Sequence, residues 1–275
     1  MTKIQVFIDF EAISAPFSHN LKIENDLPYA YSIGIHKGKK FKTKTTIINF
    51  NKVSKDDIFD FIRYDISEKL KLLTGNKEFK TNKETITFLG WAPLLEKKIL
   101  NRSFKGIIVK DQAKGESMSL SSLTEKEFKE KIYFKSIKSE MLNKMESEFI
   151  DKRGLKFDGA IAALAGYELY RNAMNIKEKW NLNLDIRTLV KEIADYSKDD
   201  ILRMSFLHKN QTIFNKRTTL LLEKNKIKQQ LSRKMNKLNN LVKSLKELNP
   251  KTTIKKALID SEKLLNELQK EKDNL

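Results

Sequence analysis

The run Ile4-Gln5-Val6-Phe7-Ile8-Asp9-Phe10-Glu11-Ala12 constrains this chain more than any other stretch. A segment so rich in Ile, Val and Phe reads as a strand covered on both faces of a sheet. Side chains alternate along a strand, so Asp9 and Glu11 point to the same side. Two carboxylates held that close repel each other and resist desolvation. They need a compensating partner, most economically a divalent cation with oxygen ligands. Asp at a strand end also serves as a turn former, so the pair becomes a metal site only if further acids join it.

The composition narrows the chemistry. The chain has 275 residues, no Cys and three His (His19, His36 and His208), which excludes structural zinc, disulfides and thiol catalysis. Any metal must therefore sit among oxygens. The formal charge is +18, supplied almost wholly by Lys, and a balance of that kind favours polyanion partners or simple solubility. Residues 216–251 carry 11 Lys/Arg against two Glu, so about half of the excess charge lies in one segment. The N-terminal apolar run is short, contains two acids and lacks a small-residue cleavage pattern, so a cytoplasmic protein without a membrane span is expected.

Along the chain, Tyr29–His36 and Phe41–Phe50 alternate around Lys37-Gly38-Lys39 as a hairpin. Ser54 is the expected N-cap of a helix with Ile58, Phe59, Ile62, Ile66 and Leu70 on one stripe and Gly75 past its end. Thr85–Trp91 reads as a buried strand, followed by a helix over about Pro93–Arg102 and a strand over Gly106–Asp111. The order βββαβαβ predicts an α/β domain with a mixed sheet flanked by helices. From Ser117 the pattern turns helical, with a capping box at Thr124-x-x-Glu127 and helical periodicity over 136–149, 158–174 and 186–208.

The last segment differs. Ile227, Leu231, Leu238, Leu241, Leu245 and Leu248 follow steps of three and four, with Lys234 at the off-pattern position, and Ile254, Leu258, Leu265 and Leu268 continue beyond Asn249-Pro250. The division expected is a domain over 1–212 and a basic antiparallel coiled-coil hairpin over 213–275, its first helix roughly 45–50 Å long.

Three features join Asp9 and Glu11. Glu96 falls in the first turn of the helix after a central strand, Asp111 ends the next strand, and Tyr196 and Asp200 stand four residues apart on one face of a late helix. Acids from a strand, a helix start and a distant helix are what two-metal phosphoryl transfer requires. Other chemistries find less footing. Gly75-Asn76-Lys77 lacks the rest of a phosphate loop, and no Gly-x-Ser-x-Gly elbow is present.

With Asp9-Phe-Glu11 on the first strand, a later acid after a sheet strand, and Tyr196-x-x-x-Asp200, the chain resembles the DEDD exonucleases of the ribonuclease H-like fold, in their Tyr-containing subclass. It is more closely similar to an uncharacterised bacterial family, domain of unknown function 2779. That likeness covers about residues 3–210 and is carried by Phe7–Glu11, Leu27–Tyr31, Leu95–Lys97, Ser136–Lys138, Asp158–Ala160 and Tyr196–Met204. The resemblance implies 3′-to-5′ hydrolysis of single-stranded DNA or RNA with two Mg²⁺ or Mn²⁺ ions. Asp9, Glu11 and Asp200 would hold the first ion, Asp9 and Glu96 would help place the second, and Tyr196 would orient the attacking water. The chain departs from the family at Ala92, where Asn is usual, and from the wider superfamily at Glu96, where Asp is usual. Asp111 is the reserve for the third acid. The competing expectation is a catalytically weak or inactive nuclease-fold module that binds nucleic acid or a protein partner through its basic helical arm.

Overall fold

The computed structural model describes residues 3–114, 118–128, 132–177, 182, 184–247 and 252–274. It divides into two compact units, Met1–Asn210 and Gln211–Leu275. The elements of the first unit run β1 (Ile4–Ile13), α1 (Phe17–Asn20), β2 (Leu27–Lys37), β3 (Lys40–Ile47), α2 (Ile58–Thr74), β4 (Ile86–Gly90), α3 (Leu94–Ser103) and β5 (Val109–Asp111). They continue with α4 (Leu120–Thr124), α5 (Lys135–Lys144), α6 (Ser147–Lys152), α7 (Asp158–Ala173) and α8 (Ile186–Lys209). The second unit holds α9 (Gln211–Glu247) and α10 (Thr252–Asp273). No helix among the described residues is long and apolar enough to cross a membrane.

The α/β unit is built on a mixed sheet in the order β3-β2-β1-β4-β5. β2 pairs antiparallel with both β1 and β3, while β1, β4 and β5 run parallel. The central position of β1 explains its composition. Val6 and Ile8 alternate with Phe7, and all three are fully buried because both faces of the strand are covered. On one face, Phe10 lies beside Tyr31, ring centroids 5.2 Å apart, and the Tyr31 hydroxyl donates to Asp65 of α2. On the other, Ser32, paired with Asp9 in the ladder, accepts a hydrogen bond from Ser197 of α8 at 3.0 Å. The Phe7 ring meets His208 at its edge there, 5.3 Å between centroids.

Helix α2 buries Ile58, Ile62, Ile66, Leu70 and Leu73, a stripe of three- and four-residue steps, and stops where Gly75 takes φ +73°. Its start differs from expectation. Asp57 is the N-cap, and Ser54 instead closes the preceding turn by accepting from the Asp57 N–H at 3.2 Å and donating to its carboxylate at 2.7 Å. The capping box at Thr124 is also overturned, because Thr124 ends α4. Its hydroxyl donates back to the Leu120 carbonyl at 2.8 Å, and Ser119 caps the helix start. That back-bonding is the local alternative always open to Thr. The periodicity over 136–149 resolves into α5 and α6, parted at Met145 by extended backbone.

In the second unit α9 and α10 pair, as a helical hairpin requires. At 1.5 Å per residue α9 is roughly 55 Å long. Leu231 and Val242 are buried, with Met235 and Leu238 half-covered between them, whereas Ile227, Lys234 and Leu241 are exposed. The covered face is thus rotated by part of a turn from the seam read in the sequence, because Val242 rather than Leu241 meets the partner side. Leu265 and Leu268 lie on the covered side of α10 together with Ser261. Ser117, Leu248 and the turn expected at Asn249-Pro250 lie outside the described residues, as do the side chains of Leu245, Ile254 and Leu258.

Candidate metal centre

The site begins at the C-terminal end of β1. Asp9 and Glu11 alternate with buried Ile8 and Phe10, so both carboxylates stand on the α8 face, where the ladder with β2 sets Asp9 opposite Ser32 and Glu11 opposite Ala30. Helix α8 crosses this face, anchored by the Ser197–Ser32 hydrogen bond, and presents Asp200 one turn after Tyr196. One carboxylate oxygen each from Asp9, Glu11 and Asp200 lie within 4.8 Å of one another. Residues 200 and 9 come from opposite ends of the domain, so this convergence is made by the tertiary fold.

Glu96 reaches the same region from α3. Gly90 makes this approach possible. A β-carbon there would stand 2.6 Å from the Pro93 side chain and 3.4 Å from that of Glu96. Glu96 is 5% exposed and accepts from the Phe10 N–H at 3.4 Å. It is close enough that its charge raises the pKa values of Asp9 and Glu11, yet it stands outside the three-oxygen group. Asp111 is not among the three either. Its carboxylate accepts from the Ala92 N–H at 3.2 Å and the Ala113 N–H at 2.8 Å, which is the work of a turn residue.

The electrostatics are those of acids gathered without enough compensation. Burial, followed by the charges of Glu11, Asp200 and Glu96, pushes the Asp9 carboxyl well above its usual range. Burial and Asp200 do the same to Glu11. Burial lifts Asp200 to about 7, against the pull of Arg203 and with the push of Asp199 and Asp158. Burial also lifts Glu96 to about 7, despite the N–H donors that favour its charged form. Tyr196 is wedged against the rings of Tyr133 and Phe134, with centroids 5.2 and 4.9 Å away. Burial and the nearby acids keep its phenol neutral well beyond the ordinary pH of its loss.

These residues fit a hard divalent cation. Asp9 Oδ2 is buried and has no hydrogen-bond partner, a costly state for a carboxylate oxygen that a cation would relieve. Oxygen donors within 4.8 Å of one another can share an ion that binds each at roughly 2.0–2.6 Å. Without Cys and with only three His, the donor set favours Mg²⁺ or Mn²⁺ over zinc.

Around the acids lie residues to which sequence reading gave no role. Arg203, 4% exposed, donates to the Thr124 hydroxyl at 2.7 Å and places a cation near Asp200. Its signal was present in the spacing, since 196, 200 and 203 recur on one face of a helix. Tyr133 donates to Asp199 at 2.7 Å, and Asp158 pairs with Lys138 at 2.8 Å. Those pairings join segments 66 and 20 residues apart, so no local pattern announces them. A cleft of about 500 Å³ opens beside Tyr196 and Asp200, walled by Tyr133, Lys138, Phe157 and Arg203 among others. Comparison of the chain with protein-family models, with curated proteins and with solved structures returns no match.

Proposed function

We propose that this chain is a metal-dependent 3′-to-5′ exonuclease of the DEDD type on a ribonuclease H-like fold, acting on single-stranded DNA or RNA with two Mg²⁺ or Mn²⁺ ions. The observation that carries the reading is the meeting of Asp9, Glu11 and Asp200 on one sheet face, with Tyr196 a helical turn from Asp200. The order β3-β2-β1-β4-β5 with β2 alone reversed agrees with that fold. Asp9, Glu11 and Asp200 would hold one cation, and Asp9 with Glu96 would help hold a second. Bound there, such ions supply Lewis acidity that makes water nucleophilic at neutral pH and offsets charge on the phosphoryl oxygens.

The chain's own groups do the rest. The neutral Tyr196 phenol donates or accepts a hydrogen bond at the attacking water and fixes its line of approach. Attack on phosphorus breaks the bond to the 3′ oxygen, which leaves with a proton, and releases a nucleoside 5′-monophosphate. Arg203 sits close enough to Asp200 to add positive charge along the cleft wall. Glu96, one oxygen engaged by the Phe10 N–H, favours a second reading in which the domain is a weak or inactive scaffold and the basic hairpin binds nucleic acid or a protein. End-labelled single strands incubated with the protein and Mg²⁺ separate the two. Stepwise 3′ shortening that EDTA and Asp9→Asn both abolish is the expected result, and intact strands in Mg²⁺ and Mn²⁺ alike would leave only the scaffold.

A further inference from the structure

The cleft beside the acids carries an unusual wall. Phe157 is 74% exposed, although a ring of that size is ordinarily buried. Its backbone is nonetheless held on both sides. The Phe157 N–H donates to the Gly154 carbonyl at 3.0 Å, and the Phe157 carbonyl accepts from Ala160 and Ile161 at 3.0 and 3.1 Å as α7 begins. Gly154, at φ +63°, makes the turn, and the Phe157 ring lies beside it. A second cleft of about 420 Å³ shares Ser121, Tyr133, Lys138, Asp158 and Arg203 with the first and is also lined by Ile132, which is 65% exposed. The two form one groove that leads away from Tyr196 and Asp200.

We propose that Phe157 is a base platform in this groove, on which an unpaired base of a single strand stacks beside the acid cluster. The occupant follows from the wall chemistry. An open aromatic face next to Lys138 and Lys156 suits a ligand that alternates flat apolar surfaces with anions. Both lysines already have carboxylate partners, Asp158 at 2.8 Å and Asp151 at 2.9 Å, so contact with a phosphate exchanges one anion for another. The ring therefore carries most of the affinity here, and the lysines carry little. Bases within a duplex already stack on one another and cannot offer a free face, so the platform selects single strands and is indifferent to which base it meets.

The inference rests on the nuclease reading for the direction of the strand, but it is measured without cleavage. The probe is a phosphorothioate-linked oligothymidylate with 2-aminopurine at its 3′ end, titrated with full-length protein while fluorescence and anisotropy are followed. Wild type should quench the 2-aminopurine. Phe157→Ala should remove the quenching and weaken binding roughly 5- to 100-fold, the weight of one stacked base. Phe157→Trp should restore both, and Lys156→Ala should change affinity less than about 3-fold. Melting temperatures that match wild type within about 2 °C establish that the variants are folded. Unchanged affinity in Phe157→Ala, or failure of Phe157→Trp to rescue, overturns the platform even if Mg²⁺-dependent cleavage is found. Quenching that depends on Phe157 sustains it even if cleavage is absent, so the two ideas fail separately.

Discussion

Two carboxylate sites lie on opposite faces of the same sheet and are held in opposite ways. On the α2 face, Asp65 receives donors from Thr46 at 2.6 Å, from Tyr31 and from Lys69, whose ammonium also donates to Thr46. Burial pushes Asp65 up, but these donors outweigh it and leave its carboxyl below the usual range. On the α8 face, Asp9, Glu11 and Asp200 face one another, and Asp9 Oδ2 lacks any hydrogen-bond partner. Each of those three is pushed upward. The chain has a local way to satisfy a carboxylate and uses it for Asp65. The α8 face lacks such donors at Asp9 Oδ2, and a positively charged ligand of the kind proposed above would supply what is missing.

The largest effect expected is on catalysis. Asp9→Asn or Asp200→Asn should lower Mg²⁺-dependent cleavage on the order of 10³-fold or more, since each would remove a ligand of the proposed cation. Asp65→Asn should leave the rate per folded molecule within about 2-fold, read in the same end-labelled assay. A large loss of rate in a folded Asp65→Asn protein would break the division between the two faces.

Stability should move in opposite directions. In EDTA at pH 8, Asp200→Asn should raise unfolding free energy by about 1–3 kcal/mol, because the wild type must hold a charge there that burial disfavours. Asp65→Asn should lower it by about 1–3 kcal/mol, because Lys69 loses its partner while only partly exposed. Urea denaturation of both variants measures this. Equal destabilisation by both would mean that the acid cluster is as well satisfied as Asp65.

The pH response sharpens the same contrast. Asp200 and Glu96 bind protons more tightly in the folded protein, near 7, than in the unfolded chain, near 4. The stability they contribute is complete below about pH 4 and is lost as pH rises toward 7. Asp65 has a lowered folded value, so its contribution is present above about pH 4 and is lost as pH falls below that. Metal-free protein should therefore lose stability between about pH 4 and 7 by an amount that Asp200→Asn reduces, and urea midpoints across that range test it.

The smallest effect concerns the approach of Glu96. Ala92 has φ +46°, a left-handed conformation that costs a residue with a β-carbon roughly 1 kcal/mol relative to Gly. Ala92→Gly should raise the thermal midpoint by a few degrees without moving Glu96. Gly90→Ala should lower it by considerably more, since its β-carbon would meet the rigid Pro93 ring at 2.6 Å and the start of α3, with Glu96, would have to shift.

What could be read from the sequence divides along the same physical line. Period-two alternation put Asp9 and Glu11 on one side, and four-residue helical spacing put Tyr196 over Asp200, because both relations are local. Arg203 shares that helical face and was legible in the same way, whereas the pairings of Tyr133 with Asp199 and of Asp158 with Lys138 depend on how distant segments pack, which no local pattern states. Thr124 misled for the opposite reason. Short polar side chains satisfy nearby backbone groups first, and here Thr124 took that option. The hairpin seam was misplaced because Leu241 and Val242 are both apolar and only packing decides which is covered.

On the reading proposed above, the acids of the α8 face are a divalent-cation site. Titration calorimetry with Mn²⁺ at pH 7, repeated in two buffers of different ionisation enthalpy, tests it most directly. Binding should be accompanied by release of protons, because burial and mutual repulsion keep Asp9, Glu11, Asp200 and Glu96 protonated to higher pH than free carboxyls and they must ionise to serve as ligands. Asp9→Asn should lose both the binding and the proton release, while Asp65→Asn keeps them. Binding heat that is absent in wild type, or that persists unchanged in Asp9→Asn, would contradict the account.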